Sequence, residues 1–169
     1  MQSQSRRTLA LMVLASACAM SLEVALAADS GSTPVQGPSA TAVPDVLKAA
    51  REHIAEKRWG AAIDELKRVN QPANADWNNL MGYSLRKAKA PDLAGAERFY
   101  GEALRIDPKH RGALEYSGEL SLMLGDLPKA EQRLASLDKA CWLPCEEYTD
   151  LKRAIVAYKA NGNRYAPSP

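Results

Sequence analysis

Four columns of residues recur in this chain at a spacing of 34 positions. They are Trp59/Leu93/Leu127, Ala62/Ala96/Ala130, Leu66/Tyr100/Leu134 and Val69/Ala103/Leu137. Four aligned columns over three copies are hard to obtain by chance, and a period of about 34 residues indicates a repeated helical hairpin. One hairpin cannot bury its own apolar faces, so hairpins of this kind stack in series. The period therefore predicts an array of packed helix pairs that presents a surface to partners.

The remaining pattern is helical throughout, because apolar residues follow a period of 3.6 and strand-like alternation is absent. The predicted first helices of the hairpins are 45–56, 74–88 and 109–124; the second helices are 59–69, 92–105 and 127–138; a seventh helix covers 146–160. Asp92 and Asp126 are predicted N-caps, and Asp107-Pro108 ends the fourth helix because proline disfavours helical geometry in the residue before it. Small residues on the first helices (Ala50, Gly82 and Gly118) and on the second helices (Ala62, Ala96 and Ala130) allow the two helices of a hairpin to approach closely.

These motifs resemble those of tetratricopeptide-repeat (TPR) proteins over roughly residues 44–138. The residues that carry the resemblance are Trp77, Gly82, Ala96, Tyr100, Ala103 and Asp107-Pro108 in the middle copy, Gly118, Gly125-Asp126, Ala130 and Leu134 in the third, and Trp59, Ala62 and Leu66 in the first. The resemblance implies an all-α fold, a right-handed α-solenoid of about three hairpins plus a C-terminal capping helix. It also implies a concave groove lined by the first helix of each hairpin.

The N-terminus has the three parts of a secretory signal peptide. Arg6 and Arg7 form a cationic region, residues 8–22 are apolar, and Ala25 and Ala27 have the spacing that a signal peptidase favours. We predict a signal peptide over residues 1–27, cleaved near Ala27, and a periplasmic location. An uncleaved anchor is disfavoured because Glu23 interrupts the apolar run.

Two other interpretations of this segment remain open. Arg6-Arg7 is similar to a twin-arginine signal, although the residues that follow match it poorly. Cys18 is a candidate lipid anchor, but Ala15 stands where a lipoprotein signal has a large apolar residue. We expect ordinary export.

The composition of the remaining residues separates a helical domain from the segments on either side of it. Residues 28–43 and 161–169 are small, polar and proline-containing, so we expect a disordered leader and a flexible tail around a helical domain over 44–160. Without residues 1–27 the chain has 20 basic and 19 acidic residues. This near balance does not favour a nucleic-acid partner, which would select a strongly basic face. No segment of the mature chain is apolar enough to span a membrane.

Cys141 and Cys145 flank a Trp-Leu-Pro segment between the sixth and seventh helices. An exported chain meets an oxidising compartment, so we predict a structural disulfide that holds the last helix onto the third hairpin. A thiol-active pair is the alternative, although its usual spacing is Cys-x-x-Cys. A metal site lacks further ligands, because the histidines His53 and His110 are remote in sequence.

No arrangement of residues indicates catalysis, so we predict a protein that is not an enzyme and uses neither cofactor nor metal. The glycines are assigned to packing and turns, and both histidines to a solvated surface. The predicted groove residues are Arg51, Asn79, Tyr83, Arg86, Glu115 and Glu119. Arginine and asparagine hold peptide backbones and carboxylates, and tyrosine adds flat apolar area.

The function expected from these features is a periplasmic interaction module that binds a peptide or helix of a partner protein in the groove. One alternative is a structural or assembly subunit of a cell-envelope complex. Another is a thiol-active accessory factor that uses Cys141 and Cys145. The lysine-and-asparagine clamp with which some TPR proteins bind terminal carboxylates is not reproduced here.

Overall fold

The structure, a computed structural model, describes residues 45–166, and over this range the chain forms helices and no strand. The seven helices are α1 (Lys48–Ala55), α2 (Trp59–Val69), α3 (Ala75–Lys87), α4 (Leu93–Ile106), α5 (Arg111–Met123), α6 (Leu127–Ala140) and α7 (Glu146–Ala160). The all-α prediction is confirmed. The predicted signal peptide, Cys18, the leader 28–43 and residues 167–169 lie outside the described residues. Within residues 45–166, no helix has the length and apolar character needed to cross a membrane.

Helix bounds follow the predicted spans closely. Helices α2 and α7 begin and end at the predicted residues, whereas α1 begins three residues later than predicted. Asp45 explains the late start, because its carboxylate accepts a hydrogen bond from the Leu47 backbone N–H at 3.0 Å and holds a turn there.

Four helices begin with a side chain that accepts the backbone N–H three residues further on, as N-caps do. The capping pairs are Asn74–Trp77, Asp92–Gly95, His110–Ala113 and Asp126–Lys129. The predicted caps at Asp92 and Asp126 are confirmed. His110 was assigned to a solvated surface; its ring is instead only 13% exposed and caps α5.

Consecutive helices pack in pairs, α1 with α2, α3 with α4 and α5 with α6, and α7 packs on both α5 and α6. The repeated alanines Ala62, Ala96 and Ala130 are fully buried. At Gly82 an added Cβ would lie 2.8 Å from the Tyr100 ring, so glycine is needed for the approach of α3 and α4. At Gly118 the nearest atom is Leu151 Cδ2 of α7, at 2.6 Å. Gly118 therefore also makes room for the seventh helix.

The core lies between the helix pairs in clusters. One cluster joins α1, α2 and α3 around Leu66 and Trp77, whose indole N–H donates to the Leu66 carbonyl at 2.7 Å. Another joins α5, α6 and α7 around Leu137, Leu151 and Ile155. Helix α7 thus buries the apolar face that the last helix pair would otherwise leave open.

Cys141 and Cys145 are bonded, with an S–S distance of 2.09 Å. Cys141 is the C-cap of α6 and Cys145 the N-cap of α7. The bond therefore joins the two helices, as predicted. At the tip of the loop that it closes, Trp142 is 98% exposed.

Candidate binding surface

Four of the six predicted groove residues meet on adjacent helices. Tyr83 and Arg86 lie on α3, Glu115 and Glu119 on α5, and the two helices are in contact. Together with Tyr100 of α4 and Tyr116 of α5, they form what we call the arginine–tyrosine cluster. Its centre is the Arg86 side chain, which is 3% exposed.

The Arg86 guanidinium forms an ion pair with the Glu119 carboxylate, with Nη2 and Oε2 2.6 Å apart. Burial by itself would lower the pKa of Arg86, but its interactions with Tyr100 and Glu119 raise the pKa overall. Arg86 is therefore a permanent buried cation. A buried cation of this kind is stable only while its counter-ion remains in place.

Aromatic rings enclose the same guanidinium. Its central carbon lies 5.5 Å from the Tyr83 ring centroid and 5.6 Å from that of Tyr116, both within the range of cation–π attraction. The two tyrosine rings are 4.5 Å apart. Trp59, at the start of α2, continues the row with its ring edge-on to Tyr83 at 5.7 Å. The result is a row of aromatic side chains across three helices.

Tyr100 lies beneath this row and is fully buried. Its hydroxyl and the Arg86 Nε have no hydrogen-bond partner within residues 45–166. Burial raises the pKa of Tyr100, and the positive charge of Arg86 opposes the rise. Two buried polar atoms of the cluster therefore lack a hydrogen-bond partner, whereas most buried polar groups in proteins have one.

Glu115 adds a second unusual group, a carboxyl that is only 8% exposed. Burial raises the pKa of Glu115 to about 8, assisted by the carboxylates of Glu119, Asp150 and Glu147 and opposed by Arg86. At neutral pH most Glu115 side chains are thus protonated. Glu147 and Asp150 of α7 are themselves paired, with Arg111 at 3.6 Å and with Arg153 at 2.9 Å.

The tail after α7 packs back onto the helical core. Tyr165 is half-buried and packs against the core of α5, α6 and α7. Burial raises the pKa of its hydroxyl, Glu119 raises it further, and Arg86 lowers it.

Asn79 and Arg51 have other surroundings. Asn79 is buried on α3 against Gly112, and its Oδ1 has no hydrogen-bond partner among the described side chains and backbone. Arg51 is exposed and pairs with Asp45 at 2.6 Å and with Asp76 at 3.3 Å. None of the measured contacts links Arg51 to the arginine–tyrosine cluster.

Asp76 also connects α3 to α5. Its Oδ1 lies 3.0 Å from His110 Nε2, while His110 Nδ1 accepts the backbone N–H of Ala113 at 3.1 Å. An accepting Nδ1 carries no proton, so the proton of the neutral ring lies on Nε2 and is donated to Asp76. Arg51, Asp76 and His110 therefore form a polar chain across α1, α3 and α5.

Trp59, Tyr100 and Tyr116 are not among the binding residues predicted from the sequence. Trp59 and Tyr100 belong to repeat columns and were assigned to packing alone. Tyr116 offered one signal, since it is an aromatic residue that directly follows the predicted groove residue Glu115.

No family model matches the sequence. A search among curated proteins also finds no match. Within residues 45–166, no three His, Cys, Asp or Glu side chains are grouped as metal ligands would be. The fold and the arginine–tyrosine cluster together define an all-helical protein with a charged aromatic surface on α3 and α5.

Proposed function

We propose that this chain is a TPR-like α-solenoid that acts in the periplasm as a protein interaction module. Its partner is a peptide or helix of another protein, bound in a concave groove lined by α1, α3, α5 and α7. The 34-residue period and the pairing of successive helices support the solenoid. The predicted signal peptide supports the location.

The arginine–tyrosine cluster is the observation that carries this proposal. A core built for stability alone is made more simply from apolar residues, because desolvating Arg86 and Glu119 is unfavourable. Arginine, tyrosine and tryptophan are also the residues that contribute most to binding at protein interfaces. Arg86, Tyr83, Tyr116 and Trp59 are grouped here on neighbouring helices.

Site-specific photo-crosslinking in a Gram-negative host tests the proposal. A photoreactive residue in place of Tyr83 should form adducts with one defined partner, because Tyr83 is partly exposed whereas Arg86 is buried. The matched control replaces Arg105, an exposed residue of the second helix α4. Adducts at position 105 with none at position 83 would contradict the groove and favour contact through the second helices.

The alternative role, an assembly subunit of an envelope complex, has one observation in its favour. Trp142 and Leu143 stand exposed on a disulfide-closed loop at the α6–α7 end. A rigid exposed tryptophan is suited to a partner's apolar pocket. Crosslinking from position 142 with no adducts at position 83 would select this role.

A further inference from the structure

A cavity of about 250 Å³ lies between α4, α5 and α6. Helix α4 contributes Glu97 and Gly101 to its walls, α5 contributes Leu120 and Leu124, and α6 contributes Lys129 and Arg133. None of these residues belongs to the arginine–tyrosine cluster. Sites for drug-sized ligands have volumes of roughly 300–1,000 Å³. The cavity therefore suits a smaller molecule.

Arg133 is the residue of the cavity whose charge has no counter-ion within residues 45–166. Its Nε atom is buried and has no hydrogen-bond partner among the described protein atoms. Burial lowers the pKa of the guanidinium, and no neighbouring charge offsets this effect. The base of the side chain is packed against α5, because a Cβ on Gly118 would lie 3.3 Å from Arg133 Cβ. A buried donor held in this way needs an acceptor from outside the protein.

The other polar groups of the cavity already have partners. Lys129, one helical turn before Arg133, pairs with Glu97 at an Nζ–Oε1 distance of 2.5 Å. The hydroxyls of Ser117 and Ser121 donate to backbone carbonyls of α5. With two cations and one carboxylate, the cavity carries one net positive charge. A carboxylate matches this charge, and its two oxygens can accept parallel hydrogen bonds from a guanidinium.

The remaining walls leave room for an apolar group. Leu120 is buried, whereas Leu124 is 51% exposed, so a bound apolar chain would cover more of Leu124. On α4, a Cβ added to Gly101 would meet no atom within 4 Å. A cation beside an apolar wall and an open space is an arrangement suited to a carboxylate with an apolar tail.

We propose that this cavity binds a small amphiphilic carboxylate, with the carboxylate on Arg133 and a short apolar chain against Leu120 and Leu124. The inference goes beyond the proposed function and does not depend on it, because the cavity and the arginine–tyrosine cluster share no residue. A ligand held by α4, α5 and α6 together also stabilises the folded state, since it binds that state alone.

Nuclear magnetic resonance with a defined probe tests the inference. The probe is hexanoate, titrated into the isotope-labelled mature full-length chain. The Arg133 Nε–H signal and the Gly101 amide signal should shift saturably, with a dissociation constant on the order of millimolar for a ligand of this size. Hexanamide, which lacks the charge, should bind at least tenfold more weakly. Acetate, which lacks the chain, should bind at least threefold more weakly.

A charge variant tests the role assigned to Arg133. Arg133→Gln should weaken hexanoate binding at least tenfold, measured at the Gly101 amide. Arg105→Gln is the matched control, because Arg105 is an exposed arginine of α4 paired with Glu102. It should bind with wild-type affinity. Glu97→Gln should tighten binding about threefold, because it frees Lys129 for the carboxylate.

A filled cavity tests the position of the site. Gly101→Leu places a side chain at the cavity wall and should weaken hexanoate binding at least tenfold, measured at Arg133 Nε–H. Gly60→Leu is its control, since Gly60 is an exposed helical glycine of α2 with no atom within 4 Å of an added Cβ. Far-UV circular dichroism verifies folding. If Arg133→Gln unfolds, Gly101→Leu and Glu97→Gln still decide the outcome.

Three results would overturn the inference. One is the absence of a saturable shift at Arg133 and Gly101 in the wild-type chain. Another is unchanged affinity in a folded Arg133→Gln or Gly101→Leu chain. The third is equal binding of hexanoate and inorganic phosphate, which would show that the cavity holds any anion and does not use its apolar wall.

Discussion

Arg86 of α3 and Glu119 of α5 form an ion pair with a 2.6 Å separation, and almost the whole arginine side chain is removed from solvent. The pair joins two helices, and its two residues lie 33 positions apart in the chain. The ion pair therefore holds two neighbouring helix pairs together, and it also sets the charge at the proposed groove.

Removal of Glu119 should strongly destabilise the fold. Glu119→Ala leaves the Arg86 cation buried without its counter-ion, which costs about 3–5 kcal/mol of unfolding free energy for a buried pair. Urea unfolding followed by circular dichroism measures the change. Glu131→Ala is the control, because Glu131 belongs to an exposed pair with Lys159 and should have little effect. Similar midpoints for the two variants would show that Arg86 finds another partner.

The raised pKa of Glu115 predicts a pH-dependent stability. In the folded state this carboxyl holds its proton to a pKa of about 8, whereas its ordinary value is 4.5. Between these two values the folded state binds more protons than the unfolded state, so the contribution of Glu115 to stability falls as the pH rises.

The Glu115→Gln variant tests this effect because its amide does not titrate. Relative to wild type, it should gain up to about 1.4 kcal/mol for each pH unit in that window, and the difference should become constant above the folded pKa. Urea unfolding at several pH values from 5 to 9 supplies the comparison. Parallel profiles for variant and wild type would mean that Glu115 titrates normally.

Two glycines should respond to alanine in opposite directions. At Gly118 the new Cβ would lie 2.6 Å from Leu151 Cδ2, so the α5–α7 contact has to shift, and we expect a loss of about 1–3 kcal/mol. At Gly101, inside α4, a Cβ meets no atom within 4 Å. Alanine there should stabilise the helix by roughly 0.5–1 kcal/mol. Thermal unfolding of the two variants checks the signs, and equal shifts would contradict the placement of α7.

The disulfide should stabilise the last helix specifically. Replacing Cys141 and Cys145 by serine opens a short loop, and we expect a loss of roughly 2 kcal/mol. Hydrogen exchange should accelerate in α7 and remain unchanged in α1 and α2, which are distant from it. Thiol titration of the denatured mature protein should find no free thiol. Two reactive thiols in the exported protein would instead favour the thiol-active alternative.

Export is predicted to remove residues 1–27. Intact-mass analysis of the periplasmic protein should give the mass of a chain that begins at Ala28. A heavier species that retains the apolar segment would indicate an anchor. A lipid-modified chain that begins at Cys18 would indicate a lipoprotein.

The sequence by itself determined the helices and which of their faces are apolar. The period of 34 residues places Ala62, Ala96 and Ala130 in the core, and proline, glycine and aspartate mark where helices begin and end. These properties are local, or they repeat, so they can be read along the chain. His110 departs from this rule, because histidine is an uncommon cap and its ring nitrogen serves the role usually filled by an oxygen.

Only the tertiary structure decided which polar residues are buried together. Arg86 has the sequence pattern of a solvated helix position, and it becomes a buried cation because Tyr116 and Glu119 of the next helix pair enclose it. The surroundings of Glu115 depend on α7, which lies outside the 34-residue repeat. Tyr165 packs against the core of α5, α6 and α7 after a turn made by two left-handed residues. Contacts between elements depend on their placement in space, and the period of a sequence records only the apolar face of each helix.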